Sequence, residues 1–315
     1  MVETIKNTDK TLFSFELLPP PKGQGMEYIY KIMDSLIEFD PAYVNITYHQ
    51  EEVVYRKVKG NLLEKRVVWK RPGTVAISAA IKYKYGVRVV PHLICGGFTK
   101  EETENALIDL NFLDIHNVLV VRGDPPAGSK VFIPEEGGHE HAIDLVHQVI
   151  NMNKGVYLDP ELINPQPTKF TVGVAGYPEK HSESPNFESD IHFLKKKIEA
   201  GAEYIVTQMF FDNRKFFEFE KRCRKAGIHV PVIPGLKPVS SLKQMTYLPK
   251  TFNIDMPEEL IKEMLKCKTN AEVYELGIEW GIQQSRELIA HGVPVLHFYT
   301  MGRTDNIRRI AENVF

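Results

Sequence analysis

The chain has 315 residues, of which 43% are hydrophobic and 25% charged, the balance of a globular protein with a sizeable core. Its 39 basic and 41 acidic residues are spread along the chain and leave a formal charge of -2, which argues against nucleic acid or an anionic membrane and for small-molecule partners. Cys95, Cys223 and Cys267 are scattered, and no signal core or run of about 18 apolar residues occurs, so a disulfide framework, a cysteine-rich zinc site and export are not expected and a cytoplasmic setting is.

Taken in order, the chain alternates short β-rich apolar runs with segments of helical spacing. LFSFELL (12–18) precedes the helical pattern MEYIYKIMDSLIEF (26–39), and AYVNITYH (42–49) and VRVVPHLIC (87–95) follow. KEETENALIDLNFL (100–113) leads to HNVLVVRGD (116–124), then HAIDLVHQVINMN (141–153) to FTVGVAGYP (170–178). DIHFLKKKIEAGA (190–202) leads to YIVTQMFF (204–211), NRKFFEFEKRCRKAG (213–227) to VPVIPGL (230–236), and the last run is VPVLHFYTMG (293–302). Several helical patterns end in Gly, as helix C-termini do. The runs are apolar at their centres, as strands covered on both faces are, and eight strand–helix units predict an α/β fold, a (β/α)8 TIM barrel forming a single domain over 1–315. The alternative, an open doubly wound sheet, would normally carry a GxGxxG turn after its first strand to bind a dinucleotide, and ELLPPPKGQG is not one. Two segments exceed the repeat: a Pro- and Asn-rich loop at 155–169, and additional helix at 257–292 between strands seven and eight.

Barrel chemistry sits at the carboxyl ends of the strands, so the polar residues closing each run carry the information. They are Glu16, Thr47 with Tyr48, His92, Arg122 with Asp124, Tyr177 with Glu179 and His181, Gln208, and Tyr299 with Arg303. Glu16 stands out because an unpaired carboxylate in an apolar run either finds a partner, here Arg122 or Lys22, or takes up a proton. In the second case apolar neighbours such as Phe13, Phe15 and Leu17 would raise its pKa and make it a general acid. His92 could instead simply hydrogen-bond a neighbouring loop. RGDPP reads as a strand terminus with a turn, GGHEH lacks the spacing and third ligand of a metal site, and the lysines at 195–197 read as a helix face from which one could reach a phosphate.

Together, FSFELLPP, VNITYH, PHLIC, VLVVRGDPP, VAGYPEKH, LKKKIEAGAEYIVTQMFFD, VPVIPGLKPVS and HFYTMGR resemble, in this order, the catalytic barrel of the flavin-dependent methylenetetrahydrofolate reductases. The resemblance runs from about residue 12 to the end of the chain. It implies transfer of hydride from a reduced nicotinamide to FAD and on to 5,10-methylenetetrahydrofolate, giving 5-methyltetrahydrofolate for methionine synthesis. NADH is the expected donor and NADPH the alternative. By the same resemblance Glu16 is the acid that assists opening of the folate's five-membered ring. Asp124 is the aspartate near flavin and folate, whose charge disfavours an anionic reduced flavin and stabilises a cationic iminium. Gln208 contacts the folate. Thr47, His92, Arg122, Asp124, Ala142, Tyr177, His181, Asp190 and Lys197 fall at FAD contacts, and Arg303 near the folate's glutamate tail.

The chain departs from the family's bacterial pattern at Leu242, where an aromatic would pack against nicotinamide and folate, and at His141, where a tyrosine would face the flavin. It ends soon after the eighth unit, so no regulatory domain and no inhibition by S-adenosylmethionine are expected. Two other functions fit the residues less well: a barrel flavoenzyme of the proline dehydrogenase type, and a flavin-free folate binder, which would have little use for both Glu16 and Asp124. FFEFEKRCRKAG suggests a surface apolar helix and hence a homo-oligomer.

Overall fold

The computed structural model describes residues 1–50, 52–58, 60, 62–125 and 131–315. Its elements in chain order are α1 (Val2–Lys6), β1 (Leu12–Leu17), α2 (Glu27–Leu36), β2 (Tyr43–Ile46), β3 (Glu52–Val58), β4 (Leu62–Val68), α3 (Thr74–Tyr85) and β5 (Val89–Ile94). There follow α4 (Lys100–Phe112), β6 (Asn117–Val121), α5 (Ala142–Asn153), β7 (Thr171–Gly176), α6 (Phe187–Glu199), β8 (Tyr204–Thr207) and α7 (Asn213–Lys225). The chain finishes with β9 (Val232–Ile233), β10 (Gly235–Leu236), α8 (Gln244–Phe252), α9 (Glu258–Lys266), α10 (Asn270–His291), β11 (Val295–Tyr299) and α11 (Asp305–Val314).

The sheet runs β1-β2-β5-β6-β7-β8-β9 with every neighbour parallel, and returns to β1 through β10 and β11. β9 and β10 are halves of the predicted seventh strand. Pro234 divides them because it has no N–H to give the ladder, but its carbonyl still accepts from the His297 amide at 3.1 Å. The eight predicted strands are therefore the staves of a (β/α)8 barrel.

Strand alternation sorts the side chains into two layers. Phe13, Phe15 and Leu17 point out of the barrel and pack with Ile29, Met33 and Leu36 of α2. Inside lie Tyr43, Val90, Leu119, Tyr204, Val206, Ile233 and Val295, plugged at the amino ends of the strands by Val2 and Ile5 of α1. Gly173 is needed here, since a Cβ would come within 2.1 Å of the Tyr204 ring. Filling this end with side chains leaves the carboxyl ends as the place for a site.

Three features refine the eight-unit pattern. β3 and β4 form an antiparallel hairpin, Glu52 opposite Val68 through Val58 opposite Leu62, inserted between β2 and α3. It has no counterpart in the eight-unit pattern. The 155–169 loop connects α5 to β7 and so lies at the amino ends of the strands, away from the site. On α7, Phe216, Phe219 and Cys223 are buried in the core, and Phe217 stacks on His291 with ring centroids 4.1 Å apart, so the predicted apolar surface for self-association is turned into the protein's own fold. The additional helix between strands seven and eight is present as α9 and α10. Among the described residues, no helix is long and apolar enough to cross a membrane.

Candidate active site at the carboxyl ends of the strands

Glu16 is the last inward-facing residue of β1, in register with Asn45 of β2 and Tyr299 of β11. Its carboxyl Oε2 lies 3.4 Å from His92 Nε2, with both side chains about nine-tenths buried. Burial pushes Glu16 from 4.5 up to about 8, with Lys237 opposing, and pushes His92 from 6.5 down to about 3, reinforced by His49. An acid and a base shifted in these directions are both neutral at pH 7, so the contact is one between a carboxylic acid and an imidazole rather than an ion pair. The Asn45 amide nitrogen, 3.2 Å from the same Nε2, completes the group. His92 thus belongs to the site and is not a loop tether. Among the described residues, no ion pair joins Glu16 to Arg122 or Lys22, and Arg122 pairs with Glu183 instead. Nor do Phe13, Phe15 and Leu17 supply its apolar setting: they lie on the opposite face of the strand, and the barrel mouth itself desolvates the carboxyl.

A second group of opposite character lies across β6, β7 and α6. Arg122, which follows β6, makes a bidentate pair with Glu183 at 2.6 and 2.7 Å and sits 4.9 Å over the Phe132 ring. Hydrogen bonding from Arg122 holds the Glu183 carboxyl below its ordinary range. Tyr177 and His181 meet edge to face with centroids 4.7 Å apart. The Asp190 carboxylate accepts from the His181 amide at 3.1 Å and the Ser184 hydroxyl at 3.0 Å, fixing the loop between β7 and α6. Of the three lysines at 195–197, Lys195 pairs with Glu199, whereas Lys197 turns inward and donates to the Ala175 carbonyl at 3.1 Å. Burial brings Lys197 down to about 8, with Asp190 opposing.

The remaining predicted residues line the same end. The Thr47 hydroxyl donates to the Leu17 carbonyl at 3.2 Å, joining the ends of β1 and β2. Asp124 is exposed, and its carbonyl accepts from the Gln50 side chain at 3.0 Å; its charge helps raise Tyr177, which burial first pushes up to about 12. Within RGDPP, Pro126 lies outside the described residues. Ala142 opens α5, directly after His141. Gln208 follows β8, and its amide N–H donates to the Gly176 carbonyl at 2.8 Å. Leu242 is half-buried against the cluster that contains Met209 and Val239, and its amide donates to the Asn270 side-chain oxygen at 3.1 Å. Arg303 is exposed in the turn after β11. Glu179, one of whose oxygens is buried without a partner among the described residues, accepts from the Asp255 amide at 3.0 Å, and burial raises it to about 7.

Three members are new: Asn45, Glu183 and Lys237. Lys237 had a signal, being the polar residue that closes the seventh apolar run. Asn45 lies inside an apolar run, and Glu183 sits in a loop seven residues past the strand it serves, so neither had one.

The inward Lys197, which has no carboxylate in ion-pair reach among the described residues, the Arg122 guanidinium, the Tyr177–His181 pair and the start of α5 suit a large anionic group with an aromatic portion. The Glu16 side offers one proton in a poorly solvated setting. Fold and mouth together define a (β/α)8 barrel of the kind whose chemistry is built on its strand ends.

The chain belongs to the methylenetetrahydrofolate reductase family, whose model matches residues 1–314. It is 31% identical over 315 residues to methylenetetrahydrofolate reductase (NADH) 1 of Arabidopsis thaliana, covering 95% of this chain and 48% of that protein. To 5,10-methylenetetrahydrofolate reductase of Escherichia coli it is 30% identical over 293 residues, covering 93% of this chain and 86% of that one. It thus spans about half the length of the plant relatives it matches and most of the bacterial one. A Clostridium thermocellum protein described as binding two copies of 5-methyl-5,6,7,8-tetrahydrofolic acid superposes on the whole chain and 98% of its own, with a TM-score of 0.56 at 15% identity, a likeness of fold.

Proposed function

We propose that this protein reduces 5,10-methylenetetrahydrofolate to 5-methyltetrahydrofolate with hydride from NADH, or alternatively NADPH, through bound FAD. The observation that carries this function is the setting of Glu16, a buried carboxyl at the barrel mouth 3.4 Å from His92, whose pKa burial raises to about 8. Opening the folate's imidazolidine ring needs one such proton at N10: the C–N10 bond then breaks toward N10, and the N5 lone pair forms the iminium that accepts hydride. Neutral His92 and Asn45 orient the acid without taking its proton. The Asp124 carboxylate favours the cationic iminium. Gln208 hydrogen-bonds the pterin, Leu242 gives it an apolar wall, and Arg303 meets the glutamate tail.

FAD, when bound, supplies the two-electron relay that lets donor and folate react in turn at one place. Lys197 and Arg122 would hold its phosphates and ribityl chain, with Thr47, Ala142 and Asp190 shaping the cradle and His92, Tyr177 and His181 bounding its ring systems. Arg122 must then share its guanidinium with Glu183. An anaerobic visible spectrum tests the whole: NADH should bleach the flavin bands and methylenetetrahydrofolate should restore them. Protein that neither carries nor takes up FAD would reject this function and leave a folate binder.

A further inference from the structure

Lys237 is the first residue after β10. A Cβ on Gly235 would lie 2.3 Å from the Thr207 carbonyl oxygen and 2.6 Å from the Tyr299 ring, so Gly235 faces the barrel interior. Leu236 faces out into the core beneath the helices, and alternation turns Lys237 inward again. On the far side of β11 the same pattern holds: Ser14 faces in and contacts His297 at 2.8 Å, Phe15 faces out, and Glu16 faces in. The registers tie the two strands together. Gly235 and Ser14 are both opposite His297, and Leu236 is opposite Phe298; continued one residue past β10, the register puts Lys237 in the row of Glu16 and Tyr299. Among the described residues, no hydrogen bond or ion pair holds the Lys237 ammonium.

We propose, resting on the reductase reading for the identity of the proton's acceptor, that Lys237 is a positioning residue whose ammonium faces Glu16 and stabilises the carboxylate left when the proton departs. In that step the Glu16 O–H bond breaks and its electron pair stays on the carboxylate, while the N10 lone pair forms the new N–H bond. A negative charge appears in a poorly solvated mouth, where an unmatched charge is costly. The titratable and charged groups around it leave Lys237 as its counter-charge. His92, from β5, is neutral at its value of about 3; Tyr299, from β11, is pushed far above its ordinary range; Arg303, beyond β11, acts on Lys237. The coupling is mutual: Lys237 opposes the rise of Glu16, and Glu16 opposes the fall of Lys237 that burial and Arg303 produce. Tyr43 and Tyr177 act on Tyr299, and His49 on His92, so each reaches Glu16 only at second hand.

Infrared difference spectroscopy of the oxidised holoenzyme, without folate, follows this carboxyl through its titration, the band being assigned by its loss in Glu16→Gln. In Lys237→Met the midpoint should move to higher pH by about one unit or more, a tenfold rise in proton affinity, and Lys237→Arg should restore it. An unmoved midpoint in Lys237→Met, or Lys237→Arg behaving like Lys237→Met, overturns the proposal. If Lys237→Met does not fold, Lys237→Gln is held to the same criterion. Because folate is absent, the outcome is separate from the reductase function. A shifted midpoint in an enzyme that cannot pass electrons to methylenetetrahydrofolate would keep the pair and reject the substrate.

Discussion

Glu16 and Glu183 are carboxyls at the same end of one barrel with opposite fates. Glu16 meets a neutral imidazole in a buried mouth and is raised to about 8; Glu183 meets a guanidinium in a half-exposed loop and is lowered. The difference does not come from the residue type or from the neighbours in sequence. It comes from which element each side chain faces: the inner wall of β5 for Glu16, the cation after β6 for Glu183. The Glu16 half of the mouth thus keeps a carboxyl proton that it can deliver, while the half around Arg122 and Lys197 carries cations that can hold an anion.

The sharpest way to break this contrast is Glu16→Gln, which keeps size and hydrogen bonding but has no proton to give. Stopped-flow measurement should find reduction of the flavin by NADH nearly unchanged and its reoxidation by methylenetetrahydrofolate slower by roughly 10²- to 10⁴-fold. Equal loss in both half-reactions would mean that Glu16 supports the fold or the cofactor rather than the folate. A smaller effect is expected from Glu183→Gln. It frees Arg122 for the cofactor, so the FAD dissociation constant measured by fluorescence should fall severalfold. Because the Glu183 side chain is 47% exposed, stability should drop by less than about 1 kcal/mol in a denaturant titration. Weaker FAD binding in that variant would make Glu183 a support for Arg122 instead of its competitor.

The smallest effect concerns stability against pH. The folded-state value of Glu16 lies above its ordinary 4.5, so its contribution is full below that value and is lost as pH rises through about 8. Glu183, lowered when folded, contributes above its ordinary value and loses that contribution as pH falls through the folded one. Thermal melts from about pH 5 to about pH 9 should therefore show the wild type losing more melting temperature toward alkaline pH than Glu16→Gln. Parallel curves would place the Glu16 value near that of a solvated carboxyl.

Much of the barrel is legible in the sequence, because continuous apolar runs and helical spacing record which faces are covered. The polar residues that close the runs are legible for the same reason, since a strand end is where burial stops. The β3–β4 hairpin is harder: EVVYRKV and LLEKRVV group their apolar and polar residues in blocks instead of alternating them, so neither shows the period of a half-buried strand. The setting of Glu16 depends on strand alternation, which places Phe13, Phe15 and Leu17 on the far face, and on His92, 76 positions away, brought close by β2 lying between β1 and β5. Pro234 splits the seventh strand and so obscures that Lys237 still faces inward.

The central claim is that Glu16 enters the folate step protonated, and its most direct test is the pH dependence of single-turnover reoxidation of the reduced enzyme by methylenetetrahydrofolate. The rate should be level at acid and neutral pH and fall with a midpoint near about 8, as Glu16 gives up its proton. A midpoint at the ordinary carboxyl value of 4.5, or a rate unchanged through about pH 10, would contradict it.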